Sequence, residues 1–294
     1  MKKIAYLGPS GTFTEEALIK FQEDLSLIKA SSLPTIVDVI KSVDRGESDE
    51  GLVPIENSIE GSVNITQDIL TFESEAKIIR EITIPIRHNL IANKGSKIEN
   101  IKKIISHPHA TSQCRVFISK NMPEAEIVAA NSTAEAVKKI KESDNQTAAI
   151  GTKTAAKIYD LEIIADDIED LKENKTRFIF VGNYIPQKSG NDKTSIVCFL
   201  KKDKPGSLFN ILKEFADRNI NLTKIESRPA RKEIGDYVFM IDMQGHLHDK
   251  EIFEALESLR RNVYMIKILG SYPVIGKILE KKQNLLISDI DKKI

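Results

Sequence analysis

Short apolar runs alternate with helix-spaced stretches through residues 1–182, which predicts strands and helices alternating in open α/β sheets. Residues 4–7 read as a first strand, with a helical stretch from Glu15. Residues 26–30 and 51–55 read as the next two strands. Apolar positions 36, 37, 39, 40 and 43 mark a helix between them. Residues 65–72 are helical. Residues 78–91 are apolar and β-rich, interrupted at Pro85, and carry the chain toward a second lobe. There, 104–106, 125–130 and 147–150 read as strands, each followed by a helix. An acidic, polar run at 166–173 leads into Asn174-Lys175-Thr176-Arg177-Phe178 and a strand at 178–181.

The strand-to-helix junctions are rich in Ser, Thr, Asn and Gly. They are Gly8-Pro9-Ser10-Gly11-Thr12-Phe13-Thr14, the loop at 56–63, His107-Pro108-His109-Ala110-Thr111-Ser112-Gln113, Asn131-Ser132-Thr133 and Gly151-Thr152-Lys153-Thr154. Thr12 with Glu15 and Ser132 with Glu135 have the spacing of capping boxes. Ligands of open α/β sheets sit at the carboxyl ends of strands, where helix N-termini offer free N–H groups to anions. Each junction alone is explained by capping. Five across two lobes point to a cleft for a small anion such as a carboxylate, with Arg177 as a bidentate partner. The first junction lacks the G-x-S-x-G spacing of a nucleophile elbow and the Gly-Lys-Ser/Thr end of a P-loop.

Residues 183–192 are polar and breaker-rich, and the domain boundary is placed there. Beyond it the pattern reads strand 194–200, helix 206–218, strands 222–228 and 237–243, helix 249–260 and strand 263–272. The order βαββαβ is the ferredoxin-like split unit. Asp203-Lys204-Pro205-Gly206-Ser207-Leu208 introduces its first helix. The tail from 275 is Lys-rich and amphipathic, and either extends a helix or frays.

Lys+Arg and Asp+Glu both number 43, which leaves no bulk field for nucleic acid. No apolar run is long enough for a signal peptide or a membrane span, so a cytoplasmic protein without a membrane partner is expected. Cys114 and Cys198 fall in different domains and read as buried reduced thiols. Cys114 lies near a helix start, where a dipole lowers a thiol pKa, but the buried structural reading is the stronger. His107-x-His109 and His246-x-His248 lack further ligands at a metal-binding spacing. The second pair reads as polar loop histidines and the first as a ligand-contacting pair. No cofactor motif is present, so side chains alone carry any chemistry.

Four motifs stand in order in the first part: Gly8-Pro9-Ser10-Gly11-Thr12-Phe13-Thr14, Val53-Pro54-Ile55-Glu56-Asn57-Ser58 with Glu60-Gly61, Ser106-His107-Pro108 with Gln113-Cys114, and Thr176-Arg177-Phe178. Pro205-Gly206-Ser207-Leu208 and Glu226-Ser227-Arg228-Pro229 follow. The series resembles the prephenate dehydratase family, and its last two members resemble the phenylalanine-binding motifs of that family's regulatory ACT domain. The resemblance runs to about Pro273.

It implies a catalytic part at 1–182 built of two lobes of the periplasmic-binding-protein type, the second roughly 84–170. An ACT domain at 194–273 and a tail at 274–294 would follow. The implied reaction converts prephenate to phenylpyruvate, carbon dioxide and water, on the branch toward phenylalanine. With no chorismate mutase or aminotransferase segment upstream, a monofunctional enzyme is expected. The family gives Thr176 the central role, read here as a hydrogen-bond donor to the departing oxygen. A true acid is left open between His107 and Glu56. Arg177 is either a carboxylate partner or a scaffold ion pair. Asn57 and Ser58 are substrate donors or loop caps, and Thr12 is a substrate contact or a cap. Phe178 reads as core.

The resemblance further implies ACT domains paired across a dimer, in a homodimer or homotetramer, with phenylalanine as the effector between them. Pro205, Gly206, Ser207 and Leu208 would hold it from one side. Asn221, Leu222, Glu226, Ser227 and Arg228 would face it. Two positions depart from the family, His109 where Gln is usual and Ser207 where Ala is usual. Two rival readings are an arogenate dehydratase and a non-enzymatic two-lobed sensor of small anions.

Overall fold

The computed structural model describes residues 1–21, 25–200, 205–231 and 237–274. The tail expected from 275 onward and the Asp203-Lys204 lead-in lie outside the described residues. The chain opens with β1 (Lys2–Leu7), α1 (Phe13–Phe21), β2 (Ile28–Leu33), α2 (Ile36–Asp44), β3 (Glu50–Asn57), β4 (Gly61–Ser62), α3 (Asn64–Phe72) and β5 (Lys77–Pro85). Then come β6 (Asn89–Ala92), β7 (Lys103–Ser106), α4 (Pro108–Gln113), α5 (Arg115–Asn121), β8 (Glu126–Ala129), α6 (Thr133–Ile140), β9 (Thr147–Gly151), α7 (Lys153–Tyr159) and β10 (Glu162–Ala165). The last elements are β11 (Lys175–Gly182), β12 (Asp192–Phe199), α8 (Ser207–Ala216), β13 (Leu222–Pro229), β14 (Tyr237–Gln244), α9 (Lys250–Asn262) and β15 (Met265–Pro273). The class is α/β, as expected. Among the described residues no helix is long and apolar enough to cross a membrane.

Two compact units divide the chain, each assembled from three segments. The first takes Met1–Val39, Leu52–Val63 and Thr83–Phe178, and the second takes Ile40–Gly51, Asn64–Ile82 and Ile179–Ile294.

In the first unit β11, β3, β1 and β2 are successive neighbours. β2 starts at Ile28, later than its apolar run suggested, because residues Leu25–Leu27 form a 3-10 turn. Its length is set by parallel pairing with β1, from Lys2 opposite Ile28 to Leu7 opposite Leu33. The expected loop at 56–63 is a β-hairpin, with Glu56 opposite Ser62 and Asn57 opposite Gly61. Its turn is closed by the Asn57 side chain, whose Oδ1 accepts the N–H groups of Ile59 and Glu60 at 2.9 and 3.0 Å. Gly61 turns the chain back at φ 82°.

The second sheet of this unit has the order β10-β6-β9-β7-β8. Its strands have period two, and both faces are covered. Leu90, Ile104, Ala148 and Ile150 pack with Cys114 and Ile118 on one face. Ile91, Ile105 and Ala149 pack with Val137, Ile140 and Ala155 on the other. Burial on both faces explains why these strands read as continuous apolar runs rather than alternations. β10, a four-residue strand that the sequence reading does not mark, pairs antiparallel to β6 after α7 ends at Asp160 in the left-handed region.

In the second unit β13-β14-β12-β15 pair antiparallel, and the order βαββαβ is ferredoxin-like as expected. Helices α8 and α9 bury Ile211, Phe215, Ile252 and Leu256 against Ile196, Cys198, Ile241 and Met243. β15 runs parallel to the first half of β5 at Gly270 and Ile78. A Cβ at Gly270 would stand 2.2 Å from the Ile78 carbonyl oxygen, so only glycine permits this approach. His246, expected as a solvated loop residue, is fully buried. Its Nδ1 accepts the His248 N–H and its Nε2 donates to the Pro186 carbonyl, at 3.1 Å each, so both ring nitrogens are satisfied within the fold.

Candidate active site

A cavity of about 410 Å³ opens in the first unit where four of the five junctions meet. Gly8, Thr12 and Thr14 come from the β1–α1 turn, and Asn57 and Glu60 from the β3–β4 hairpin. His107, His109 and Gln113 come from α4 and its cap, and Asn131, Ser132 and Thr133 from the start of α6. His88, Asn174, Thr176 and Phe178 complete the wall. The fifth junction stands behind it, where Thr152 caps α7 and donates its hydroxyl to the Gly11 carbonyl at 2.7 Å. Gly11 lies at φ 91°, and a Cβ there would meet Ala155 Cβ at 2.9 Å.

One hydrogen-bonded chain organises the polar wall. Asn57 Oδ1 is committed to the two hairpin N–H groups, so its Nδ2 faces Asn174 Oδ1 at 2.8 Å and Thr176 Oγ1 at 2.9 Å. Asn174 Nδ2 donates to Gln113 Oε1 at 2.8 Å, and His88 Nε2 approaches the same oxygen at 3.0 Å. Gln113 Nε2 donates to Glu60 Oε1 at 2.8 Å, and Glu60 Oε2 is paired with His109 Nδ1. This chain fixes the sense of each amide. Thr176 Oγ1 therefore accepts from Asn57, which leaves its own proton to donate elsewhere.

Three of the expected residues lie away from the cavity. Successive side chains of a strand point to opposite faces. Thr176 and Asn57 face the cavity, so Arg177 and Glu56, each one residue away, face the other side. There Arg177 Nε pairs with Glu56 Oε2 at 3.2 Å, the scaffold ion pair weighed against carboxylate binding. Glu56, weighed with His107 as a true acid, is not among the residues that line the cavity. Ser58 Oγ accepts the Lys175 N–H at 2.9 Å and so pins the hairpin to β11 rather than lining the cavity. The capping box at α1 is shifted by one residue, since Glu15 Oε2 accepts the Gly11 N–H at 2.5 Å. Thr12 Oγ1 donates to the Leu7 carbonyl at 3.1 Å and still lines the cavity.

Among the described residues, those lining the cavity include no Lys or Arg. What an anion meets there instead is the N-terminal ends of α1 and α6, with their free N–H groups and positive dipole ends. Of the lining histidines, burial pushes His88 down. Burial and the neighbouring His109 push His107 down. Cys114, at the head of α5, is fully buried in the core around Ile104, and burial raises its thiol. Cys198 is pushed up to about 12 by burial. Among the described residues no group of three or more His, Cys, Asp or Glu could hold a metal ion.

Residues that the sequence did not single out for a role include His88, Gln113 and Asn174. His88 was a lone imidazole inside an apolar run, and that contrast was the available signal. Its depressed pKa gives a stability prediction. The unfolded chain takes up a proton near the ordinary value of about 6.5, and the folded chain resists it. The stability held by neutral His88 is complete above that value and declines as pH falls below it. Burial tends to raise Glu169, but its contacts with the His88 N–H and Lys172 outweigh that and hold it low, so it stays charged throughout. The melting temperature is expected to fall between about pH 7.5 and about pH 5.5. His88→Asn is expected to show a smaller fall in the same calorimetric series.

In the second unit, Pro205, Gly206, Ser207 and Leu208 line a hollow of about 730 Å³ with Phe209, Leu212 and Phe239. Gly206 holds φ 86° at the head of α8. Asn221 is exposed, and Leu222 begins β13. The remaining expected effector residues lie elsewhere. Glu226 accepts from Gln67 Nε2 at 2.8 Å, and Arg228 binds Asp68 Oδ1 at 2.8 Å, both on α3. Ser227, on the opposite face of β13, is exposed.

One unit is α/β with an amide-lined cavity, and the other carries the ferredoxin-like βαββαβ order. Residues 4–185 match the family model "Prephenate dehydratase", and residues 194–261 match "ACT domain". The chain belongs to the prephenate dehydratase family, whose members are lyases. It is 47% identical over 277 residues to a prephenate dehydratase of Methanocaldococcus jannaschii, covering 93% of this chain and 98% of that one. It is 42% identical over 271 residues to a bifunctional chorismate mutase/prephenate dehydratase of Aquifex aeolicus, covering 92% of this chain and 73% of the relative. The crystal structure of prephenate dehydratase from Arthrobacter aurescens in complex with L-Phe superposes with a TM-score of 0.87, at 35% identity and 99% coverage of both chains.

Proposed function

We propose that the cavity of the first unit binds prephenate and converts it to phenylpyruvate, carbon dioxide and water, with Thr176 as donor to the leaving oxygen. In this reaction the bond from the ring to its carboxylate breaks, and its electron pair shifts through the ring. The para C–O bond breaks in turn, and the departing oxygen takes up a proton to leave as water. The protein holds the dianion, excludes solvent and stabilises charge on that oxygen. The observation that carries this reading is the 2.9 Å bond from Asn57 Nδ2 to Thr176 Oγ1, which leaves the hydroxyl proton for the cavity. The N-terminal ends of α1 and α6 suit the two carboxylates. His107 is the acid candidate that lines the cavity.

The test is phenylpyruvate formation by purified protein from prephenate, with and without phenylalanine. Turnover on arogenate but not prephenate would replace the substrate. Turnover on neither would overturn the proposal.

Regulation by phenylalanine is part of the same reading. The Arthrobacter relative was solved with L-Phe, and the hollow at Pro205–Leu208 has an apolar wall suited to that side chain. Glu226 and Arg228 hold α3, and α3 begins at the residue after Val63, which lines the cavity. Phenylalanine acting on this motif would be transmitted along α3 to the hairpin bearing Asn57. Asp68→Asn is expected to leave phenylalanine binding intact in calorimetry. It should also raise the half-inhibiting concentration at least about five-fold, the low end of usual coupling. β13 is an edge strand with exposed Ile225, which suits pairing of two copies into a homodimer or homotetramer, separable by sedimentation. A cytoplasmic enzyme of phenylalanine biosynthesis fits these features.

A further inference from the structure

We infer that His109 is a positioning residue for this reaction, acting through Glu60, and that its proton sets how the cavity receives an anionic substrate. The inference rests on the cavity reading above. Glu60 stands on the turn of the β3–β4 hairpin and lines the cavity. Its carboxylate has two contacts, Gln113 Nε2 at 2.8 Å and His109 Nδ1. A carboxylate only accepts, so both partners donate, and His109 Nδ1 carries a hydrogen. The Gln113 contact turns Oε1 toward Asn174 Nδ2, and Asn174 Oδ1 accepts from Asn57, which orients Thr176. The amide chain that starts at Asn57, the donor to Thr176 Oγ1, therefore ends on the Glu60–His109 pair, which anchors it.

The charge at this pair matters more because, among the described residues, those lining the cavity include no Lys or Arg. Glu60 is a negative charge in the wall of a cavity read as taking a dianion. The imidazolium of His109 cancels that charge, and its loss leaves the carboxylate facing the substrate. Among the described residues, two titratable groups face the His109 ring. Glu60 does so from the hairpin, and His107 from the cap of α4, with ring centroids 4.9 Å apart. His107 accepts the His109 backbone N–H through Nδ1 at 3.3 Å, and burial favours its neutral form. His88 lies beyond Gln113 on the chain segment entering β6, and burial favours its neutral form as well. Of the lining imidazoles, His109 is the one in contact with the Glu60 carboxylate, so a proton on its ring changes the charge this wall presents.

The experiment measures kcat and KM for prephenate from about pH 5.5 to about pH 8.5, with the enzyme-free rate subtracted, in the wild-type protein, His109→Gln and Glu60→Gln. The wild-type kcat/KM is expected to fall about five-fold as pH rises through the imidazole range, the difference between a charge-assisted and a neutral hydrogen bond. The fall should appear in KM. Both variants keep His88 and His107 and are expected to lose this limb. A limb that survives in His109→Gln belongs to another group and overturns the inference. If the variants are too slow to assay, prephenate binding by calorimetry over the same pH series reads the same dependence. Absence of wild-type turnover at every pH would instead count against the proposed function. The pair is then tested by imidazole proton NMR, where a His109 resonance titrating identically in wild type and Glu60→Gln overturns it.

Discussion

Thr176→Val is expected to lower kcat about 10²- to 10³-fold, the usual cost of removing one oxyanion-type donor. Valine matches threonine in shape and lacks the hydroxyl. Thr176 is nearly closed to solvent, at 8% exposure, so the methyl groups stay in place. Asn57 Nδ2 keeps its bond to Asn174 Oδ1 at 2.8 Å, so the stability cost should stay near 1 kcal/mol. Thr176→Ser, which retains the hydroxyl, should keep most of the rate. Steady-state kinetics with melting curves on the three proteins separates loss of chemistry from loss of fold. Turnover of the valine variant close to wild type would remove Thr176 from the mechanism.

Asn57→Asp is expected to cost nearly as much, although Asn57 acts through Thr176. The carboxylate can still accept the Ile59 and Glu60 N–H groups, so the hairpin turn survives. It has no hydrogen to give to Thr176 Oγ1 or Asn174 Oδ1. The threonine hydroxyl would then turn its proton to the new carboxylate, and the leaving oxygen would lose its donor. A fall in kcat of about 10²-fold is expected. The double variant with Thr176→Val should be little worse than either single one, because the two residues act as one unit. Full additivity in that cycle would show that Asn57 has a separate role.

The parts of this molecule that the sequence reveals are those governed by period and by backbone demand. The second sheet's apolar runs, the capped helix starts and the βαββαβ order were all legible. Four of five junctions converge because carboxyl ends of strands gather at one edge, a rule of topology and not of particular residues. What stayed hidden depends on which face a side chain takes. Thr176 and Arg177 are neighbours in one motif, and strand alternation sends them to opposite sides. The same parity separates Glu56 from Asn57. The hairpin at 56–63 was also concealed, since its turn is closed by side-chain bonds to the backbone and by one glycine. β10 is only four residues long, too short a run for its period to show.

Each unit contains one thiol sealed in its own core, Cys114 among the apolar residues around Ile104 and Cys198 under α8 and α9. A soluble alkylating reagent can reach either sulfur only when that core comes apart. The protein thus carries a separate clock in each half. The rates at which the two cysteines become labelled, resolved by peptide mass, report the opening free energies of the two cores individually. A ligand that steadies one half alone will slow one clock and leave the other running.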